Sequence, residues 1–337
     1  MRTRIILVAG LIGLTTAAVP GCANGGFGRR TAPPPIVVEE PSERHSQQLD
    51  DAHRAMQAGD YDIALAMFRE ILAENPTITP AYLGMGEIYL VQQDYEKAEP
   101  VYARAARLEP RNFEAQYGHG FALQMLQRFA EAVRAYHRAL TIDPDNPKAN
   151  LNLATTYLQL SEPRNAVLFA ERAVEVDPSS GAARANLGAV YEQLDRNAEA
   201  VEQYLMAMEL LEENTAPLML NLINVLGKEK RYREAVNTAE HLVRVQPTAN
   251  AYERLGWGYF RLGEFDRSIN AYRKSVELDP QHWLSWSGIG VNSLNAWLLS
   301  ERKDTDAMRE ARTAFRRSLQ INPDQPRLIT LMSNYGL

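Results

Sequence analysis

The chain has 337 residues, of which 45% are hydrophobic and 23% are charged, a composition typical of folded rather than disordered proteins. Its formal net charge of −6 argues against general nucleic-acid binding, which requires a basic surface. The single cysteine, Cys22, excludes an internal disulfide bond. After this cysteine no run of about 18 apolar residues occurs, so no membrane-spanning helix is predicted there.

The first 21 residues have the pattern of a secretory signal peptide, because Arg2 and Arg4 precede an apolar segment at 5–18. The residues that follow resemble the bacterial lipobox, in which an aliphatic residue, a small residue and a cysteine define cleavage and acylation. The matching residues are Val19, Gly21 and Cys22. The resemblance implies a lipid attached to Cys22, with palmitate-type chains that anchor the protein to a membrane. The alternative is an ordinary signal peptide with an incidental cysteine, which predicts a periplasmic or secreted protein.

The segment 22–44 is rich in glycine, proline and charge, has no periodicity and is predicted to be a flexible linker. Ala23 follows the cysteine where some lipoproteins carry aspartate. By resemblance to enterobacterial lipoproteins, this residue implies the outer membrane, facing the periplasm. The linker would then hold the rest of the chain away from the lipid surface.

Beyond the linker, Asp-Pro and related proline turns recur with a fixed period of 34 residues. They fall at Pro76, Pro110, Pro144 and Pro178, and the series resumes with slips of one residue at Pro247 and Pro280. Each period contains two amphipathic segments joined by a short turn. A fixed period of this length is typical of a repeat solenoid, and the two segments predict a pair of helices in each repeat.

Small and aromatic residues occupy matching positions in each period. In the unit that ends at Pro110 they are Tyr82, Gly86, Tyr89, Ala98, Tyr102 and Ala105, and in the unit that ends at Pro280 they are Tyr252, Gly256, Tyr259, Ser268, Tyr272 and Ser275. The pattern resembles the tetratricopeptide repeat family. The resemblance implies an all-α fold, a right-handed α-solenoid (superhelix) of about eight helix–turn–helix units with a C-terminal capping helix.

The expected units span about 45–78, 79–112, 113–146, 147–180, 181–215, 216–248, 249–282 and 283–325, and the cap spans 326–337. The fifth unit lacks its closing proline and has Glu212 there. The eighth has extra residues around 296–307, which predict a longer helical hairpin. The small and aromatic stripes are interpreted as core, because helices approach closely only where side chains are small.

The first helix of each pair is expected to line the concave groove of a tetratricopeptide superhelix. Reading the equivalent groove positions through the units selects Glu87, Phe121, Asn152, Thr155, Asn186, Asn221, Asn224, Arg254 and Trp257. An amide offers both a donor and an acceptor, which suits the backbone of an extended peptide. The recurring asparagines resemble the asparagine ladder of O-linked N-acetylglucosamine transferases.

Two alternatives remain open for these positions. The asparagines could be ordinary solvated side chains, and Phe121 and Trp257 could be anchors for a partner or could pack locally between units. The carboxylate clamp of chaperone-binding tetratricopeptide domains is not matched, since Leu49, His53 and Glu114 stand at positions that need lysine, asparagine or arginine.

No catalytic motif, phosphate loop or metal-ligand spacing of histidines is found, so the sequence predicts no enzyme activity, cofactor, metal or small-molecule substrate. The expected function is a protein-interaction scaffold or adaptor at the bacterial envelope, which binds extended polypeptide during pilus or secretion assembly or envelope biogenesis. Two other functions stay open: a structural or oligomerisation module without a peptide ligand, and a specificity subunit of a separate enzyme.

Overall fold

The computed structural model describes residues 41–211 and 215–337. The predicted signal peptide, Cys22 and most of the linker lie outside the described residues, as does Glu212. Within the described ranges the chain forms seventeen helices and no strand. The prediction of an all-α repeat solenoid is therefore confirmed.

Helices that follow each other in the chain pack in pairs, and each expected unit contains one pair. They are α1 (Glu43–Ala58), α2 (Tyr61–Glu74), α3 (Thr79–Val91), α4 (Tyr95–Leu108), α5 (Phe113–Met125), α6 (Phe129–Ile142), α7 (Pro147–Gln159), α8 (Pro163–Val176), α9 (Gly181–Gln193), α10 (Asn197–Leu210), α11 (Ala216–Lys228), α12 (Tyr232–Val245), α13 (Ala249–Leu262), α14 (Phe265–Leu278), α15 (Trp283–Leu299), α16 (Thr305–Ile321) and α17 (Pro326–Tyr335). Helix α1 begins two residues inside the expected linker.

The eighth pair and the final helix account for the irregular C-terminal sequence. Helices α15 and α16 have 17 residues each, whereas α13 and α14 have 14, so the extra residues lengthen the hairpin as predicted. Leu328 and Met332 of α17 pack in one hydrophobic cluster with Phe315 of α16. The last helix thus covers apolar surface that a terminal repeat would otherwise expose. No helix in the described part of the chain is long and apolar enough to cross a membrane.

The turn inside each pair contains a residue in the left-handed region of backbone space. In the first seven pairs these residues are Gly59, Gln93, Gln127, Ser161, Asp195, Lys230 and Gly263, with φ between 57° and 85°. Only two of the seven are glycine, although glycine adopts this conformation most readily. The short turn geometry is therefore imposed by the packing of the two helices.

Contacts between pairs show which side of the stack is concave. Each first helix from α1 to α13 contacts the first helix of the next unit, whereas second helices with described residues have no comparable contact with each other. Elements on the inside of a curved stack lie closer together than those on the outside. The first helices therefore line the concave side.

The core depends on aromatic rings of second helices that lie against glycines of first helices. Tyr102 of α4 lies against Gly86 in its own unit and Gly118 in the next, and a β-carbon added at Gly118 would lie 2.3 Å from the Tyr102 ring. Tyr136 of α6 lies against Gly120 in its own unit and is fully buried. The interpretation of these small and aromatic stripes as core is confirmed.

Candidate peptide-binding groove

All nine residues predicted to face the groove lie on first helices. Glu87 is on α3, Phe121 on α5, Asn152 and Thr155 on α7, Asn186 on α9, Asn221 and Asn224 on α11, and Arg254 and Trp257 on α13. They follow the concave side from the second unit to the seventh. Their contacts differ from unit to unit, however, and those contacts decide what each can do.

Two of the asparagines connect neighbouring first helices. Asn152 of α7 donates a hydrogen bond to the Tyr117 hydroxyl of α5 at 2.9 Å, and Asn186 of α9 donates to the Thr155 hydroxyl of α7 at 2.9 Å. The Thr155 hydroxyl in turn donates to the Leu151 carbonyl at 2.8 Å. Both asparagines are half-buried. These amides therefore hold the groove surface of adjacent units in register.

The third asparagine of the expected ladder does not continue this pattern. Asn221 is exposed, and the contact between units falls one helical turn later, where Asn224 donates to Glu192 of α9 at 2.6 Å. Lys228 lies 3.0 Å from the same carboxylate, and the Tyr204 hydroxyl donates to it at 3.1 Å. Glu192 and Lys228 were missed by sequence reasoning, although Lys228 follows Asn224 at the i+4 spacing of one helix face.

Each amide contact uses one of the two N–H donors of the side chain, so part of its hydrogen-bonding capacity remains. At Asn186 the amide oxygen is buried and has no hydrogen-bond partner. A buried acceptor without a partner raises the free energy of the folded state. The Asn186 side chain therefore donates its hydrogen bond to Thr155 while its own amide oxygen stays unsatisfied.

Trp257 marks a cavity of about 220 Å³ between α11 and α13. It is lined by Ile223, Asn224, Gly227, Lys228, Arg254 and Trp257. Trp257 lies directly over Gly227, where a β-carbon would be 2.4 Å from the indole ring. The rings of Trp257 and Tyr232 are nearly perpendicular, and their centroids are 6.0 Å apart. The structure thus brings three predicted residues, Asn224, Arg254 and Trp257, together in one cavity and adds Lys228 as a second cationic side chain.

The two remaining predicted residues take no part in this arrangement. Phe121 is partly buried and packs against the hydrophobic cluster that contains Leu123, Tyr136 and Leu153. Glu87 is exposed on α3, far along the chain from the amide contacts. The polar part of the groove is therefore concentrated in the fourth to seventh units.

Burial changes the electrostatics of two groups beside the groove. It raises the pKa of the Tyr117 hydroxyl, an effect that the hydrogen bond from Asn152 partly opposes. It also raises the pKa of Glu253, which neighbours Arg254 at 3.3 Å on α13. Across the described ranges, no group of three histidine, cysteine, aspartate or glutamate side chains is placed to hold a metal ion.

Tetratricopeptide repeat models match residues 55–119, 125–161, 151–212 and 249–282, which together are more than half of the chain. The chain belongs to the tetratricopeptide repeat family. The groove described above is thus the concave face of a tetratricopeptide solenoid.

Curated relatives match only part of the chain. Heat shock protein STI1 of Saccharomyces cerevisiae is 28% identical over 92 residues, which are 27% of this chain and 16% of that protein. Small glutamine-rich tetratricopeptide repeat-containing protein 2 of Mycosarcoma maydis is 28% identical over 118 residues, which are 34% of this chain and 33% of that protein. The chain therefore spans at most a third of the length of these two relatives.

Two solved structures share the fold over most of their own length. PilW, described as a widely conserved type IV pilus biogenesis factor, aligns with a TM-score of 0.53 and 20% identity, covering 61% of this chain and 95% of PilW. PilF of Pseudomonas aeruginosa aligns with a TM-score of 0.52 and 18% identity, covering 60% of this chain and 91% of PilF. At these identities the likeness is one of fold alone.

Proposed function

We propose that this protein is a non-catalytic interaction scaffold that binds an extended polypeptide along the concave side of its fourth to seventh units. The observation that carries the proposal is the continuous polar row on the first helices, from the Asn152–Tyr117 contact to the Trp257 cavity. The row combines the amides of Asn152 and Asn186, which are held by hydrogen bonds, with the Trp257 ring that lines the cavity. Rigid polar groups beside an aromatic anchor are typical of surfaces that bind polypeptide.

The cavity beside Trp257 indicates the kind of side chain that the bound segment presents there. Trp257 and Ile223 supply apolar surface, while the cations of Lys228 and Arg254 already lie beside the carboxylates of Glu192 and Glu253. An apolar side chain of the ligand would complement this surface. The amides of Asn152 and Asn186 would meet the ligand backbone, whose N–H and C=O groups recur whatever its sequence.

The proposal includes a location at the bacterial envelope, with Cys22 as the lipid attachment site and no nucleic-acid or small-molecule partner. It is supported by the lipobox-like residues in the sequence and by the shared fold with PilF and PilW. Pilus or secretion assembly and envelope biogenesis are the processes that such a scaffold would serve.

Site-specific photo-crosslinking in the native bacterium tests the groove. Benzoylphenylalanine replaces Asn221, which is exposed on the concave side, and, as a matched control, Arg134, which is exposed on the second helix α6. We expect a discrete crosslinked protein from position 221 and none from position 134. Equal crosslinking at both positions would contradict binding in the groove.

The same experiment separates the proposal from the oligomerisation module. If position 221 crosslinks only to a second copy of the chain, the concave surface is an interface between copies and the peptide-ligand proposal fails. Combined substitution of Asn152, Asn186 and Asn221 by alanine should remove the crosslink formed from a benzoylphenylalanine placed at Asn224. A crosslink that persists would exclude the amides from binding.

The lipid anchor has an independent test. Cells that express the full chain should incorporate radiolabelled palmitate into it, and Cys22→Ser should abolish the labelling because no other cysteine is present. Labelling that persists in Cys22→Ser would contradict attachment at Cys22, and a wild-type chain without label would contradict the lipid anchor.

A further inference from the structure

A tyrosine recurs at the junctions between units, at the third position after the small residue of the first helix. Its ring fills the space toward the preceding unit, and its hydroxyl bonds to one residue of that unit's second helix. The four pairs are Tyr89–Arg69, Tyr157–His137, Tyr191–Glu171 and Tyr259–Glu240. This interaction is a repeated way of closing the gap between one second helix and the next first helix.

Two other junctions have a buried leucine at this position, Leu123 and Leu226, whereas the last junction has neither a tyrosine nor a leucine. Ser293 of α15 stands 34 residues after Tyr259, and Arg273 of α14 occupies the position that corresponds to Glu240. Ser293 and Arg273 both contact Glu310 of α16. Ser293 donates to this carboxylate at 2.9 Å, and Arg273 lies 2.7 Å from it. The side chain that would fill the junction is therefore replaced by a small one.

A cavity of about 810 Å³ occupies this junction, between α14, α15 and α16. Its apolar walls include Ile269, Val276, Trp286 and Ile289. Ala296 lines it as well, at the position where the preceding unit has Leu262, so a second large side chain is also missing. The volume is in the range of about 300–1,000 Å³ that is typical of ligand-binding pockets.

The charged residues around this cavity are predominantly acidic. Its lining contains Asp266, Asp304, Asp306 and Glu310 against two arginines. Arg273 is paired with Glu310, and Arg309 is paired with Asp306 at 3.1 Å. Asp266 is exposed and has no ion-pair partner in the described part of the chain. The field at the mouth therefore favours a cationic ligand group.

We propose that this cavity binds an aromatic side chain of a partner polypeptide that carries lysine or arginine next to it. The aromatic ring takes the place that tyrosine rings of this chain fill at four other junctions, and the basic residue faces Asp266. The cavity shares no lining residue with the nine groove positions or with the Trp257 cavity, so it is a separate site. The inference does not depend on the proposed function of that groove.

Fluorescence anisotropy with a defined probe tests the chemistry of the site. The probe is a fluorescein-labelled pentapeptide, Gly-Lys-Tyr-Lys-Gly, titrated with the full chain. We expect saturable binding that weakens about tenfold or more when alanine replaces tyrosine, and about threefold or more when glutamate replaces both lysines. Equal binding of the tyrosine and alanine peptides, or no saturable binding, would overturn the proposal.

A substitution that fills the cavity with a larger side chain tests whether the probe binds there. Ser293→Tyr introduces the ring found at four other junctions and should weaken probe binding about tenfold or more, with an unchanged far-UV circular dichroism spectrum. Ser293→Ala is the matched control, since it removes the hydrogen bond to Glu310 but leaves the cavity open, and it should change affinity less than about twofold.

Two further variants keep the test decisive. If Ser293→Tyr does not fold, Ala296→Leu narrows the same cavity with the residue of the preceding unit and should weaken binding instead. Asn186→Ala, in the groove, should leave probe binding unchanged. Unchanged binding by a folded cavity-filling variant, or loss of binding in Asn186→Ala, would place the probe elsewhere and overturn the proposal.

Discussion

The stack has one kind of contact in its core and another along its groove, and the two differ in how strictly they repeat. In the core, an aromatic ring of a second helix lies against a first-helix glycine, as Tyr102, Tyr136, Tyr204 and Tyr272 all do. Along the groove, an amide reaches a hydroxyl in two units and a carboxylate in the next. Steric fit tolerates little variation, whereas an exposed polar contact tolerates much. Stability is therefore expected to depend on the first kind and binding on the second.

The largest expected effect is on Tyr136, which is fully buried and whose hydroxyl donates to Gln124 at 2.7 Å. Tyr136→Ala should lower the free energy of unfolding by about 3–5 kcal/mol, the range for removing a large core aromatic. Urea denaturation followed by far-UV circular dichroism measures the change. Tyr136→Phe keeps the ring and should lose only about 0.5–1.5 kcal/mol. Similar losses in both variants would show that the ring is not the main contribution.

A smaller loss is expected when the glycine of an equivalent contact, between Gly118 and Tyr102, is changed. Gly118→Ala puts a methyl group where the Tyr102 ring lies, and overpacking of this kind destabilises by about 1–3 kcal/mol. The better helix propensity of alanine, about 1 kcal/mol, offsets part of the loss. In a Tyr102→Leu background the ring is absent, so the same substitution should lose less. An equal loss in both backgrounds, measured by urea denaturation, would rule out the steric explanation.

Glu253 lies at the boundary between core and groove, and its effect depends on pH. Burial raises the pKa of this carboxyl above the value of the unfolded chain. Its contribution to stability is therefore fully present below the unfolded pKa and is lost as pH rises through the folded pKa. Glu253→Gln should thus have a higher Tm than the wild type at pH 8, and the difference should shrink toward pH 4.

Thermal melts followed by circular dichroism at several pH values measure this difference. Glu87→Gln, at an exposed position of α3, is the control and should stay within about 0.5 kcal/mol of the wild type. A Glu253→Gln variant that is less stable than the wild type at pH 8 would show that the ion pair with Arg254 outweighs the burial of the charge.

The smallest effect on stability is expected in the groove. Asn186→Ala removes the hydrogen bond to Thr155 but also removes the buried amide oxygen that has no partner. The two changes oppose each other, so the free energy of unfolding should change by less than about 1 kcal/mol, while crosslinking from the groove should fall. A loss as large as that of Tyr136→Ala would mean that the amides hold the stack together and would remove the contrast between the two kinds of contact.

The helices, the pairs and the core were predictable because their signals are local and repeated. The proline period, the turn after each first helix and the stripes of Ala98, Ala132 and Ala166 recur within each unit, and all three alanines are fully buried. Single substitutions cannot conceal a pattern that appears seven or eight times. The lengthened eighth hairpin followed from the same comparison, because extra residues stand out against a fixed period.

The groove could be predicted only in part. Equivalence between units placed the nine candidates on first helices, Asn221 and Asn224 among them. It did not show that Asn224 reaches Glu192, and it missed both Glu192 and Lys228. Phe121 and Trp257 were grouped as possible anchors, and both are partly buried and pack against core clusters, but Trp257 in addition lines a cavity. Position in a repeat defines the face of a helix, but it does not define which neighbour a polar side chain reaches.

What the sequence determined by itself is the repeat: its period, its helical pairs and the small and aromatic residues that let the pairs approach. Only the tertiary structure decided the partners of the groove amides and the cavity left by Ser293. The physical reason is that these features join residues of successive units, such as Asn152 with Tyr117 and Asn186 with Thr155, which are 35 and 31 residues apart. A missing ring becomes a cavity only when the helices that surround it are in place.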